Sequence, residues 1–294
     1  MRKGCMFLLI LCLLTACAAV PAGDSAAEEN TPPPSAAEPT AEGPCYCTVD
    51  MVTWEDSAQD GDETVLAKYR FCLPELTARR PDGTAIREAG TEEEERILAA
   101  AEIFNGQFAP WTQGTEFQEL TEMAREERAW REEAQIDWAA EFSMELDCQV
   151  YQTDRLVSVA GNYYSYTGGA HPNTVLMAWN FDLENGEFFA PELLAEDGKA
   201  FSLAVQEEIV RQLRLTAESN GMAAEEMFWA NYEEIAAGWS SYAVSFGESG
   251  MTVAFSPYEL AAYAAGPQEF HLDNAFLTLW LSDYGRAVLG LAEE

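Results

Sequence analysis

Phe142-Ser143-Met144-Glu145-Leu146-Asp147-Cys148-Gln149-Val150 is the stretch on which the reading of the fold turns. Successive side chains of an extended chain point to opposite faces. Phe142, Met144, Leu146, Cys148 and Val150 therefore share one face, and Ser143, Glu145, Asp147 and Gln149 share the other. One apolar face and one polar face describe a half-buried strand of an antiparallel sheet. Working outward, residues 155–166 and 174–183 read as two more strands, joined by Thr167-Gly168-Gly169-Ala170-His171-Pro172. Glu184-Asn185-Gly186-Glu187 is a tight turn into Phe188.

On the N-terminal side, residues 46–54 and 64–73 are strand-like, with the turn-forming Asp60-Gly61-Asp62 between them. Arg79-Arg80-Pro81-Asp82-Gly83 reads as a loop. Thr91 with Glu94 makes a capping-box start, after which Ile97, Ala101, Phe104 and Phe108 recur at helical spacing. A second helix is expected over 115–138, its apolar line running through Phe117, Leu120, Ala124, Trp130 or Ala134, and Trp138. On the C-terminal side, residues 199–218 form an amphipathic helix with Phe201, Val205, Ile209 and Leu213 on one line. Residues 225–237 read as helix, 241–246 and 251–255 as a hairpin, 269–272 as a short strand and 274–291 as mostly helix. Strands flanked by helices without regular βαβ alternation define an α+β fold on an antiparallel sheet. The expected division is into two lobes, residues 45–139 and 140–294.

The chain opens Met1-Arg2-Lys3, followed by an apolar run from Met6 to Leu14. That run is shorter than the roughly 20 residues a membrane-spanning helix needs, and it fits a signal peptide. It ends in Leu14-Thr15-Ala16-Cys17, a lipobox, so residues 1–16 are expected to leave and Cys17 to carry lipid. Residues 17–44 are rich in Ala, Glu, Pro, Ser, Thr and Gly and too poor in large apolar side chains to form a core, which makes them a tether. The expected location is the extracytoplasmic face of a cell membrane, reached through that anchor.

The 294 residues hold 51 acidic and 16 basic side chains, a formal charge of −35 that deepens by two once Arg2 and Lys3 leave. Such a chain repels nucleic acid and anionic lipid surfaces and steers a cationic partner toward itself. A generically acidic, well-solvated surface explains the same number. Beyond the leader and Cys17 stand Cys45, Cys47, Cys72 and Cys148, for which three disulfide pairings exist. Cys-x-Cys with no further Cys or His at ligand spacing does not make a zinc site, and His171 and His271 are the only histidines. No His-Glu-x-x-His, Ser-x-x-Lys, nucleophile elbow or phosphate loop occurs, so no catalytic residue, metal or cofactor is expected. Carboxylates are so numerous that a hydrolytic pair is neither located nor excluded.

Gly168-Gly169-Ala170-His171-Pro172, Phe181-Asp182-Leu183-Glu184-Asn185-Gly186 and Phe255-Ser256-Pro257-Tyr258-Glu259-Leu260-Ala261-Ala262-Tyr263 resemble, in order and spacing, the extracytoplasmic domain of the RsiV family, domain of unknown function 3298. The N-terminal lobe resembles the smaller domain that commonly precedes it, numbered 4163. The resemblance implies an α+β fold and a binding role. RsiV proteins hold a sigma factor inactive and sense lysozyme outside the cell, and relatives fuse the domains to a polysaccharide deacetylase. This chain shows neither a spanning helix with a cytoplasmic segment nor room for a deacetylase domain. What the resemblance implies here is recognition of a lysozyme-like cationic protein or of peptidoglycan, and the loops expected to carry it are those bearing Gly168, Gly169, His171 and Pro172, and Pro257, Tyr258 and Tyr263. For the glycines and Pro172 the plainer reading is a turn needing positive φ and a fixed exit. For Pro257 and Tyr258 it is a loop packed on its own sheet, and for Tyr163, Tyr164 and Tyr166 it is core packing. The rival functions are a cell-wall hydrolase or modifying enzyme, and a structural protein of envelope assembly.

Overall fold

The computed structural model of the chain describes residues 43–138 and 140–291. The leader, Cys17 and the tether up to residue 42 lie outside the described residues. Strands β1 (Tyr46–Gln59) and β2 (Val65–Arg79) form a long antiparallel hairpin. Its turn is closed by Asp60 N–H donating to Thr64 O at 2.9 Å and Thr64 N–H to the Asp62 carboxylate at 3.2 Å. Helix α1 (Glu92–Thr112) starts as expected, with Thr91 Oγ1 accepting from Glu94 N at 3.2 Å. The Glu94 carboxylate accepts from Gly90 N instead of Thr91 N, and it pairs with Arg80 at 2.6 Å.

Helix α2 (Thr115–Glu133) stops short of Trp138. Gln135 takes φ +57°, which ends the helix, and Trp138 folds back to stack on Phe142 at 5.8 Å. Only Leu120 and Ala124 of α2 are buried, and Trp130 is exposed instead of lying on the apolar line. β3 (Phe142–Gln152), β4 (Leu156–Tyr166), β5 (Asn173–Asp182) and the short β6 (Glu187–Phe188) complete a sheet ordered β1-β2-β3-β4-β5-β6. Its pairs are antiparallel except β2–β3, which corrects the expectation of a wholly antiparallel sheet. The reason is the connection: α1 and α2 return the chain to the start of β2, so β3 runs alongside it in the same direction.

α1 and α2 cover one face of this sheet, where Phe71, Phe104, Leu146, Val159 and Phe181 are buried. Tyr163 packs there against Trp111 at 5.2 Å, whereas Tyr164 and Tyr166 lie on the opposite, wetter face. Pairing of β2 with β3 ends at Cys72. Beyond it Asn105 of α1 stands in for a strand: Leu76 N–H donates to its Oδ1 at 2.8 Å and its Nδ2 donates to Leu76 O at 2.9 Å.

The chain continues through α3 (Gly198–Ser219), α4 (Ala224–Met227), α5 (Tyr232–Ala237) and a three-stranded antiparallel sheet, β7 (Ala243–Gly247), β8 (Gly250–Phe255) and β9 (Gln268–Asp273). It ends in α6 (Asn274–Leu277) and α7 (Asp283–Leu289). The single helix expected over 225–237 is broken because Phe228 and Tyr232 both turn inward, leaving Trp229 outside. The helix expected over 274–291 is interrupted where Leu281 bridges Ala195 and Ser282 N–H donates to Leu194 O. The second core packs Phe201, Ile209, Trp239, Val253 and Phe255 between α3 and the small sheet.

β7 meets the other face of the large sheet edge-on. Asn180 Nδ2 donates to Val244 O at 2.8 Å, Phe246 N–H donates to Ser158 Oγ at 2.8 Å, and Ser158 Oγ–H donates to Asn180 Oδ1 at 2.7 Å. The described residues make one compact unit, and the large sheet runs through the expected lobe boundary at 139/140. Cys45, Cys47, Cys72 and Cys148 are all free thiols.

Candidate functional site

The two loops singled out in the sequence meet in the fold. The first joins β4 to β5, with Gly168 at φ +81° and Gly169 at φ +109°, conformations that side chains with a Cβ resist. The second leaves β8 at Ser256. There Glu259 N–H donates to Ser256 O at 3.1 Å, closing a turn with Pro257 second and Tyr258 third. Tyr258 has φ +74°, the value a type II turn requires at its third position, where glycine or asparagine is the usual residue. Pro257 supplies the fixed φ of the second position.

Neighbours clamp this turn. Ser256 N–H donates to the Glu259 carboxylate, and Leu176 N–H on the free edge of β5 donates to Ser256 Oγ at 3.0 Å. Trp229 Nε1–H donates to Tyr258 O and Trp229 N–H to Leu260 O, each at 2.9 Å. Burial pushes the Glu259 carboxyl up, and the Ser256 amide opposes it only in part.

His171 joins the loops. Its ring stacks on Tyr263 at 3.9 Å and 19°. Nδ1–H donates to Pro172 O at 2.8 Å, and the Tyr258 hydroxyl donates to Nε2 at 3.2 Å in that tautomer. Tyr263 OH donates to Pro172 O at 3.1 Å, and the Tyr258 and Tyr263 rings lie 5.4 Å apart. Tyr258 is 53% exposed and Trp229 40%. The result is a tip of aromatic and imidazole rings. Residues 167–173 carry no carboxylate or ammonium, and in the second loop only Glu259 is charged, with its carboxylate turned inward on Ser256.

All seven expected loop residues thus fall in one neighbourhood. Trp229 and Ser256 were not singled out as site residues. Trp229 gives no local signal beyond being a tryptophan in a segment read as helix, and Ser256 acts through a strand 80 positions away. His271 lies in β9 apart from His171, and among the described residues no group of three His, Cys, Asp or Glu side chains converges for a metal ion.

An α+β chain with two sheets, helices on the outside and a loop-borne aromatic tip defines the class of protein. Within it, residues 188–274 match the family profile described as "Protein of unknown function (DUF3298)", so the chain carries a DUF3298 domain. Residues 98–174 match the profile described as "Deacetylase PdaC". The tip draws His171 from the second match and Tyr258 and Tyr263 from the first. A DUF3298 protein of Bacteroides fragilis NCTC 9343 superposes with TM-score 0.57 at 13% identity, over 84% of this chain and 98% of that one. One from Pseudomonas aeruginosa PAO1 gives TM-score 0.50 at 14% identity, over 81% and 95%. At those identities the likeness is one of fold. None of the curated proteins compared with the chain matches it. Among the described residues no helix is long and apolar enough to cross a membrane.

Proposed function

We propose that the chain is a non-enzymatic binding module whose aromatic tip takes a cationic, lysozyme-like protein, with Cys17 tethering it by lipid on the extracytoplasmic face of a membrane. The observation that carries this reading is Tyr258: an exposed tyrosine held at positive φ by a turn that Trp229 fixes on one side and Leu176, through Ser256, on another. Strained, over-determined residues collect at ligand-contacting positions, and tyrosine is a frequent anchor of protein interfaces. The charge pattern supports the same reading. A ring cluster nearly free of charge in a chain of formal charge −35 has the form of an interface core, with the acidic remainder free to steer a cationic partner. The leader sequence ending in Leu14-Thr15-Ala16-Cys17 supports the anchor.

The test is titration of the chain with a basic lysozyme at low and high salt, beside Tyr258→Ala. Binding that survives high salt and weakens by about 2 kcal/mol or more in the variant supports the reading. Binding abolished by salt and indifferent to the variant reduces it to charge attraction. No binding to lysozyme, with co-sedimentation on purified peptidoglycan lost in the variant, moves the tip to the wall itself.

A further inference from the structure

Away from the tip, a groove of about 250 Å³ opens between the second face of the large sheet and the outer face of the small one. Register builds one wall. Ser245 pairs with Thr252, and Thr252 with His271, so the three stand in one row across β7, β8 and β9. Their strand neighbours Val244, Phe246, Met251, Val253, Phe270 and Leu272 are buried in the core, which sends the row to the opposite, open face. The facing wall comes from β3 and β4, where Gln149 pairs with Ala160. The alanine methyl leaves the floor low, and the hairpin turn adds Ser249.

The chemistry of the lining is specific. No Asp, Glu, Lys or Arg belongs to it, in a chain with 51 acidic residues. Among the described residues the Gln149 amide and the hydroxyls of Ser245 and Ser249 make no hydrogen bond to protein, and Thr252 Oγ1 and His271 Nδ1 meet only at 3.4 Å. These groups offer both donors and acceptors, with no carboxylate, ammonium or guanidinium among them, in a space that holds one ring. Glu269 and Asp273 stand two positions either side of His271 on the same face of β9, outside the lining, so negative charge flanks that edge of the groove, with Asp273 also accepting from Phe276 N at 2.8 Å. That charge repels a phosphate or carboxylate, and no carboxylate inside the groove is available to pair an ammonium. A neutral monosaccharide, with hydroxyls that both donate and accept on most of its ring carbons, fits this lining in charge, polarity and size.

We infer that this groove is a binding site for a neutral saccharide ring, held by the Ser245–Thr252–His271 row and Gln149. It is independent of the tip. The experiment is saturation-transfer NMR on the full chain with four probes, methyl glucoside, N-acetylglucosamine, cationic glucosamine and anionic glucuronate, repeated with His271→Ala and Thr252→Val. Both substituted side chains lie on the open face, and a thermal melt establishes that each variant is folded. The expected result is transfer to one or both neutral sugars and none to glucuronate. Binding is then about tenfold weaker in each variant, the equivalent of about 1.4 kcal/mol. The inference is overturned by no transfer to either neutral sugar, by transfer to glucosamine alone, which makes the acidic flank the binder, or by transfer unchanged in both folded variants, which puts the sugar elsewhere on the chain.

Discussion

At the scale of single residues, Tyr258 opposes stability to presentation. An L-residue in the left-handed region costs about 1–2 kcal/mol, and glycine avoids that cost but orders more backbone. Tyr258→Gly is therefore expected to stabilise the fold by about 0.5–1 kcal/mol in urea unfolding while weakening partner binding as far as Tyr258→Ala does. A glycine variant less stable than the parent would mean that the ring's contacts with His171 and Tyr263 outweigh the strain. Asp182 is the second residue whose surroundings decide its behaviour. Its carboxylate is fully buried at the end of β5 and accepts from Arg155 and Tyr284 at 2.8 Å, from Asn185 Nδ2 at 3.0 Å and from the Glu184 amide at 2.9 Å. Burial alone would push it up, but these donors outweigh burial and hold it below the usual carboxylate range. The same burial and the adjacent carboxylate push Tyr284 up to about 12. A depressed folded value gives stability that is complete above the ordinary Asp value of about 3.9 and is lost as pH falls through the folded value. Tyr284→Phe, which removes one donor to the charge, is expected to cost about 1.5–3 kcal/mol at pH 7. That cost should shrink once the solution is more acidic than about pH 4. A cost equal at both pH values would show that the hydroxyl does not serve the ionised carboxylate.

Elements are held to one another here by side chains that complete backbone hydrogen bonding. Asn105 of α1 satisfies both backbone groups of Leu76 where β3 no longer accompanies β2. Asn105→Ala is expected to cost about 1–3 kcal/mol, read by chemical denaturation, with Asn105→Asp failing to restore it because a carboxylate cannot donate to Leu76 O. Asn180 and Ser158 do the same for β7, so Asn180→Leu leaves Val244 O bare and should loosen the small sheet, seen as faster amide exchange in β7 and β8. α7 depends on a close approach: a Cβ on Gly285 would lie 2.1 Å from Leu194 O. These joints explain which parts of the fold sequence reading reaches. Strict alternation in Phe142 to Val150 and the Phe201-Val205-Ile209-Leu213 stripe are local, and both elements stand where expected. The parallel β2–β3 pair was not legible, because its direction is set by how two intervening helices pack, and no residue of either strand records that. The end of α2 was missed because Gln135 at φ +57° is not a residue type that announces a stop. Each site loop was legible through its Gly, Pro and Tyr, but their meeting was not, since it depends on Ser256 reaching the edge of β5.

At the scale of the whole molecule, charge and tip act on different steps of the proposed encounter. The chain's formal charge of −35 sets a field that reaches about 8 Å at physiological ionic strength. It raises the frequency of productive collisions with a cationic protein without fixing the bound geometry. The tip has almost no charge, so salt has little to screen once the rings are buried against a partner. The two contributions should therefore separate kinetically. Raising ionic strength is expected to lower the association rate with a basic lysozyme by about tenfold or more while barely moving the dissociation rate. Tyr258→Ala is expected to do the reverse, speeding dissociation at every ionic strength and leaving the slope of association against salt as it was. Surface-plasmon kinetics on parent and variant across a salt series read both quantities. If dissociation carries the salt dependence and the variant matches the parent, the partner is held by the acidic surface at large. The turn that strains Tyr258 would then have no part in holding it.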